Sequence, residues 1–187
     1  MWKLYNIGCG SHRIEKAINC DINPANNPDK VFDFTKDWPI EDQSADQIIF
    51  SHTIEHVPPG HHKFILKEMW RVLKFGRTVV ISYPEFRECA ERYLRNEGGQ
   101  KDFWEATLYG RRTSPYEFHV SLMDTSSFTK LLVEAGFRIL KQSPELGEPY
   151  NTVLVAEKVT KPRSKEDVLQ EVIFDKKRSK NTSSSRT

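Results

Sequence analysis

Cysteine is scarce: Cys9, Cys20 and Cys89 are the only three in 187 residues. A small, odd number argues against a disulfide framework and for a reducing compartment. Long apolar runs are missing too, and none approaches the roughly 20 residues that a membrane span needs. Met1 is followed almost at once by KLYNIGCG, with no basic-then-apolar leader. The expected setting is cytoplasmic, with no membrane partner. Excess charge is also lacking, the formal net being +2. Residues 160–187 hold eight Lys/Arg against four Asp/Glu, which leaves the preceding 159 residues with 20 basic and 22 acidic groups. A slightly acidic body is not a nucleic-acid surface by composition, and the basic balance belongs to the tail.

What is present is an alternation of short apolar runs and helical patterns, the signature of a parallel α/β sheet. KLYNIG predicts a first strand ending in Gly8-Cys9-Gly10, AINCDI a second ending in Asp21, and KVFDF a third ending near Asp33. ADQIIFS predicts a fourth and RTVVISY a fifth. Between these two, residues 61–74 space Phe64, Ile65, Met69 and Leu73 as a helix does and close towards Gly76. TSSFTKLLVEAGF predicts a second amphipathic helix with a Thr or Ser cap, ending at Gly136. FRILKQS and NTVLVAEKV then predict an antiparallel hairpin at the sheet edge. The expected domain is residues 1–159. Within it the aromatic segment 84–123 reads as a cap over the substrate, with extra core helix as the alternative. In the tail, Ser164 and Asp167 open a capping box and Val168, Leu169, Val172 and Ile173 share one helix face. Low-complexity residues follow and are expected to be disordered.

SHTIEHV, residues 51–57, holds His52, Glu55 and His56 at the H-x-x-E-H spacing of a zinc site. That chemistry needs both histidines on one face of a continuous helix. Here a strand runs straight into the motif, and Pro58-Pro59 follows at once and disfavours helix in the residue before it. No metal is expected. The stretch reads instead as a loop at the carboxyl end of the fourth strand, which is where ligands sit in open α/β sheets. Gly8 and Gly10 let the backbone approach a ligand closely, and Asp21 ends the neighbouring strand, where a carboxylate can take both ribose hydroxyls. A dinucleotide fingerprint would require a third glycine where Arg13 stands, and an acid about 20 residues on rather than Asp21. The short gap makes the first crossover helix very short and disfavours a nicotinamide cofactor. S-adenosylmethionine has no phosphate to hold and tolerates the change.

LYNIGCG, INCDINP, DFTKDWPIEDQSADQIIFSHTIEHV and KEMWRVLKFGRTVVISYPEF together resemble a class I S-adenosylmethionine-dependent methyltransferase of the small methyltransferase-11-like group, over roughly residues 3–87. A weaker likeness, LYGRRTSPYEFHVSLMDTSSFTKLLVEAGF, is to a subgroup of predicted methyltransferases sometimes found with surface-glycan genes. The resemblance implies a Rossmann-like, mainly parallel seven-stranded sheet with a C-terminal antiparallel hairpin. It also implies S-adenosyl-L-methionine as cofactor and methyl transfer to a small-molecule or sugar acceptor, at O or N. The alternative in another class is a non-catalytic cofactor-binding or scaffold module. Phe75-Gly76-Arg77 departs from the family's Pro-Gly-Gly at a structural turn. The helices that often precede the first strand and cover the cofactor are not seen, so residues 84–123 or the second subunit of a homodimer would do the covering.

Carried onto this chain, Asp21 is expected to accept the ribose hydroxyls, with Ile22 beside it. Gly8 and Gly10 would line the methionine moiety, with Cys9 a small filler. Asp33 and the backbone of Phe34 match the adenine position, a turn-capping Asp33 being the alternative. Ser51 and His52 would meet the cofactor near its sulfonium, while Glu55 and His56 anchor the loop. The candidate bases for an acceptor hydroxyl are His119, His52 and Glu85, histidine being suited by its ordinary pKa. A purely structural His119 stays open.

Overall fold

A computed structural model describes residues 2–97 and 101–159. The predicted tail helix lies outside the described residues. Seven strands form one sheet: β1 (Leu4–Ile7), β2 (Ile18–Asp21), β3 (Lys30–Val31), β4 (Ala45–Ser51), β5 (Leu73–Pro84), β6 (Phe137–Pro144) and β7 (Asn151–Lys158). Their order is β3-β2-β1-β4-β5-β7-β6. The first five pair in parallel, and β7 runs antiparallel between β5 and β6. This is the mainly parallel seven-stranded sheet with a closing antiparallel hairpin that the sequence predicts.

Its central strands alternate fully buried residues on one face with half-buried ones, such as Ile49, Val80 and Val155, on the other. Ile7, Ile48, Phe50, Ile81 and Leu154 are fully buried. Helix α1 (His62–Val72) buries Ile65, Leu66, Met69 and Val72, and α4 (Thr125–Glu134) buries Phe128 and Leu132. The two helices meet each other and pack on β5 and β6 respectively. Helices α2 (Phe86–Leu94) and α3 (Lys101–Tyr109) fill the long segment after β5. Among the described residues no helix is long and apolar enough to cross a membrane.

Several local expectations change. β3 keeps two residues instead of the predicted five, because the carbonyl of Asp21 takes the Phe32 N–H and the chain then turns at Asp33. No helix forms between β1 and β2; residues 8–17 cross over as turns. β5 starts directly at the end of α1, and its register on β4 jumps from Leu73 to Thr78, so the predicted turn at Phe75-Gly76-Arg77 is a bulge inside the strand. Gly76 holds φ 70° there. The cap of α4 is Asp124, whose carboxylate accepts the Ser127 N–H, not a Thr or Ser.

The stretch Glu68-x-x-Arg71 works as a clamp. Arg71 donates to both oxygens of Glu68, at 2.8 and 2.6 Å, and to the carbonyls of Ile40 and Trp38, while Glu68 accepts the Trp38 N–H at 2.9 Å. Burial works against ionisation of Glu68, but Arg71 and the Trp38 N–H outweigh it and hold the carboxyl below its ordinary range. The clamp fastens loop 38–42 onto α1. Arg71→Met strands a buried carboxylate, and the expected loss of stability is about 3 kcal/mol. Urea unfolding of the two proteins measures it.

Candidate active site

Three loops meet at the carboxyl ends of β1, β2 and β4. The Gly8 and Cys9 N–H groups both donate to the Cys20 carbonyl, at 2.8 and 3.0 Å. This turns the chain over the end of β2 and brings the Gly10 N–H to the Asp21 carboxylate at 2.7 Å. The other Asp21 oxygen accepts the Asn23 N–H at 2.8 Å. Asp21 is 5% exposed. Gly8 and Gly10 have φ of 73° and 48°, a region disfavoured for residues with a Cβ. A Cβ on Gly10 would meet open space, whereas one on Gly8 would lie 2.3 Å from the Thr53 hydroxyl. Thr53 was not among the predicted site residues, yet its side chain closes the inner side of the glycine turn and donates to the Ser51 carbonyl at 2.9 Å.

The remaining expected cofactor residues fall nearby or into supporting roles. Cys9 is buried, and burial pushes its thiol pKa up, as suits a filler rather than a nucleophile. Ile22 packs against the core. Asp33 accepts the Thr35 N–H at 2.9 Å and its hydroxyl at 2.6 Å, a turn cap. The Phe34 ring lies in the core edge-on to Phe50, and its carbonyl accepts the Trp38 indole N–H at 3.0 Å. Ser51 shares a hydrogen bond with Ser82 at 2.6 Å.

His52 opens a short turn rather than a helix. Its φ is 48°, and a 3-10 turn spans Ile54–His56. The two histidines of H-x-x-E-H therefore diverge. His52 reaches Glu145 with one ring nitrogen at 2.9 Å and Glu55 with the other at 3.4 Å. Burial disfavours the charged ring, but these carboxylates outweigh it and push its pKa up to about 9. His56 turns the opposite way and stacks edge-on to His119, ring centroids 4.7 Å apart.

The segment after β5 folds back over this loop. The Glu55 carbonyl accepts the N–H groups of Val120 and Ser121 at 2.8 and 3.0 Å, and His56 Nδ1 donates to the Phe118 carbonyl at 3.0 Å. A small recess lies under the crossing, walled by Pro84, Phe86, Leu108, Leu122 and Met123 and by the polar Glu55, Thr107, His119 and Ser121. Burial lowers the His119 pKa from its ordinary value. Glu85 stands apart from it in chemistry. One carboxylate oxygen caps α2 through the Glu88 N–H at 2.8 Å, and the other accepts the Thr125 N–H at 3.2 Å.

Strand order β3-β2-β1-β4-β5-β7-β6, with a glycine turn and a carboxylate at adjoining parallel strand ends, defines the fold of a class I S-adenosylmethionine-dependent methyltransferase. The family model of the methyltransferase domain matches residues 2–142, and the chain belongs to that family. It is similar in structure to an S-adenosylmethionine-dependent methyltransferase of Methanosarcina mazei, at 18% identity and TM-score 0.64, covering 85% of this chain and 93% of that one. It is also similar to one of Archaeoglobus fulgidus, at 16% identity and TM-score 0.58, covering 84% and 86%. No curated protein matches. Membership implies S-adenosyl-L-methionine as cofactor.

Gly8→Ala tests the turn. A side chain at a left-handed φ costs about 1–2 kcal/mol, and the contact with Thr53 adds to it. In a Thr53→Ala background the two closest contacts are gone and the 2.9 Å approach to the residue 53 Cβ remains, so the same substitution is expected to cost less. A four-protein urea cycle reads the difference as a coupling between residues 8 and 53.

Proposed function

We propose that the protein transfers a methyl group from S-adenosylmethionine to a small-molecule or sugar acceptor, at oxygen or nitrogen. The observation that carries the cofactor side is the Asp21 carboxylate held beside Gly10. Each oxygen accepts one backbone N–H and, with about two lone pairs apiece, retains capacity for a further donor. Two vicinal hydroxyls supply two donors, so the ribose of the cofactor fits the site. Gly10, open on its side-chain face, would lie along the methionine moiety with Gly8 behind it. Asp33, Phe34 and Ile22 would shape the adenine end through backbone and packing, and Ser51 and His52 the sulfonium end.

When bound, the cofactor supplies an already activated methyl group, so the protein's work is to position the acceptor in line and to accept a proton from it. The recess between the β4 loop and segment 84–123 is the acceptor side of this reading, with that segment as its cap. Of the three candidate bases, His119 is the one that lines the recess. In the neutral ring one imidazole nitrogen of His119 carries a lone pair that can take a proton. We assign His52, cationic between two carboxylates, to holding the loop, and Glu85 to capping. The recess is small, with no Lys or Arg among its described lining residues, and the body is slightly acidic; both favour a small acceptor over nucleic acid.

Asp21→Ala is expected to weaken S-adenosylhomocysteine binding by about 1.5–3 kcal/mol, on the order of 10- to 100-fold. Equal affinities by calorimetry would remove residue 21 from the cofactor site.

A further inference from the structure

Glu55 is 2% exposed, and among the described residues neither of its carboxylate oxygens has a hydrogen-bond partner. A buried carboxylate whose charge partner is a single imidazolium at 3.4 Å is under-satisfied. The His52 ring comes only to 3.4 Å of one oxygen, and its closer contact is with Glu145. What stands on the other side of Glu55 is a pair of imidazoles. One ligand atom each from Glu55, His56 and His119 lies within 4.8 Å of the other two.

The His56 ring is set up to give a lone pair. A backbone carbonyl only accepts, so the bond from His56 Nδ1 to Phe118 puts the proton on Nδ1 and frees Nε2 in the neutral ring. A carbonyl-fastened histidine beside a carboxylate is the outer-shell arrangement that orients a metal ligand, and the His119 ring stands edge-on to the His56 ring, centroids 4.7 Å apart. The pieces come from distant parts of the chain and are drawn together by the Val120 and Ser121 N–H bonds to the Glu55 carbonyl.

We propose that Glu55, His56 and His119 form a binding site for one divalent first-row metal ion, zinc being the expected occupant. Two imidazoles and one carboxylate suit zinc, and three protein ligands leave a position open. Because Glu55 and His119 both line the recess, that position is available to an acceptor oxygen. An ion there would take the His119 lone pair and, instead of His119 accepting the proton, would lower the pKa of a bound acceptor hydroxyl so that its proton passes to water; this role, unlike the binding itself, rests on the methyltransferase reading. The neighbouring set His52, Glu145 and Glu148 is a weaker candidate, since Glu145 and Glu148 already accept from Asn151 at 2.8 and 2.6 Å.

The test is calorimetric titration of chelator-stripped full-length protein with Zn2+, alongside Co2+ titration followed by its visible d–d absorption. The expected result is one ion per chain with a tetrahedral cobalt spectrum. Glu55→Gln and His119→Asn should each weaken it at least about 10-fold, the loss that even supporting groups cause. His61→Ala, on an exposed histidine, should leave it unchanged. Circular dichroism checks folding, and should Glu55→Gln not fold, His56→Asn replaces it. Absence of saturable binding, or binding equal in wild type and His119→Asn, overturns the site. S-adenosylhomocysteine calorimetry on the same samples reads the cofactor pocket separately. Zinc binding without it keeps the metal site and overturns the cofactor assignment; the converse does the reverse.

Discussion

A hydrogen bond of 2.7 Å from the Gly10 amide to the Asp21 carboxylate ties the turn after the first strand to the end of the second. The Cys20 carbonyl, accepting from Gly8 and Cys9, forces that turn to fold over the sheet edge. Parallel pairing of β1 with β2 sets the register, since Ile7 sits opposite Cys20 and the next residues must diverge. The pocket edge is thus made of backbone held by backbone, with one charge aimed into it. Thr53 completes the arrangement by occupying the volume that a side chain on residue 8 would need.

The β4 loop and the segment that returns over it are built on a different principle. There the β4 loop is short, turns at a left-handed His52, and exposes its carbonyls to the returning segment 118–121. Strain of this kind persists only where the surroundings over-determine it. Here they do so through the His52 pairs with Glu145 and Glu55 and through the N–H groups of Val120 and Ser121. The result is a buried carboxylate facing two imidazoles at the edge of an apolar recess. Its rigidity comes from the sheet behind it, where Ile48 and Phe50 of β4 and Ile81, Ser82 and Tyr83 of β5 are buried.

Much of the fold was legible in the sequence because apolar runs of strand length, separated by helical spacing, admit few arrangements. The glycine turn and Asp21 were legible for the same reason, each lying at a predictable strand end. The third strand was overestimated because KVFDF has strand composition, while Asp33 uses its carboxylate to hold Thr35 and bends the chain away. Phe75-Gly76-Arg77 reads locally as a turn, yet the strand continues through it, since pairing with β4 and β7 outweighs one bulge.

The sequence by itself determined the sheet, its order of strands and helices, and the class of ligand edge, because these follow from periodicity and from residues close in the chain. Only the tertiary structure decided which polar groups meet. Glu145 lies 93 residues from His52, and Phe118 62 from His56, so no local pattern announces either contact. It also separated the two histidines of one short motif, because Pro58 and a single 3-10 turn leave no helix on which they could converge.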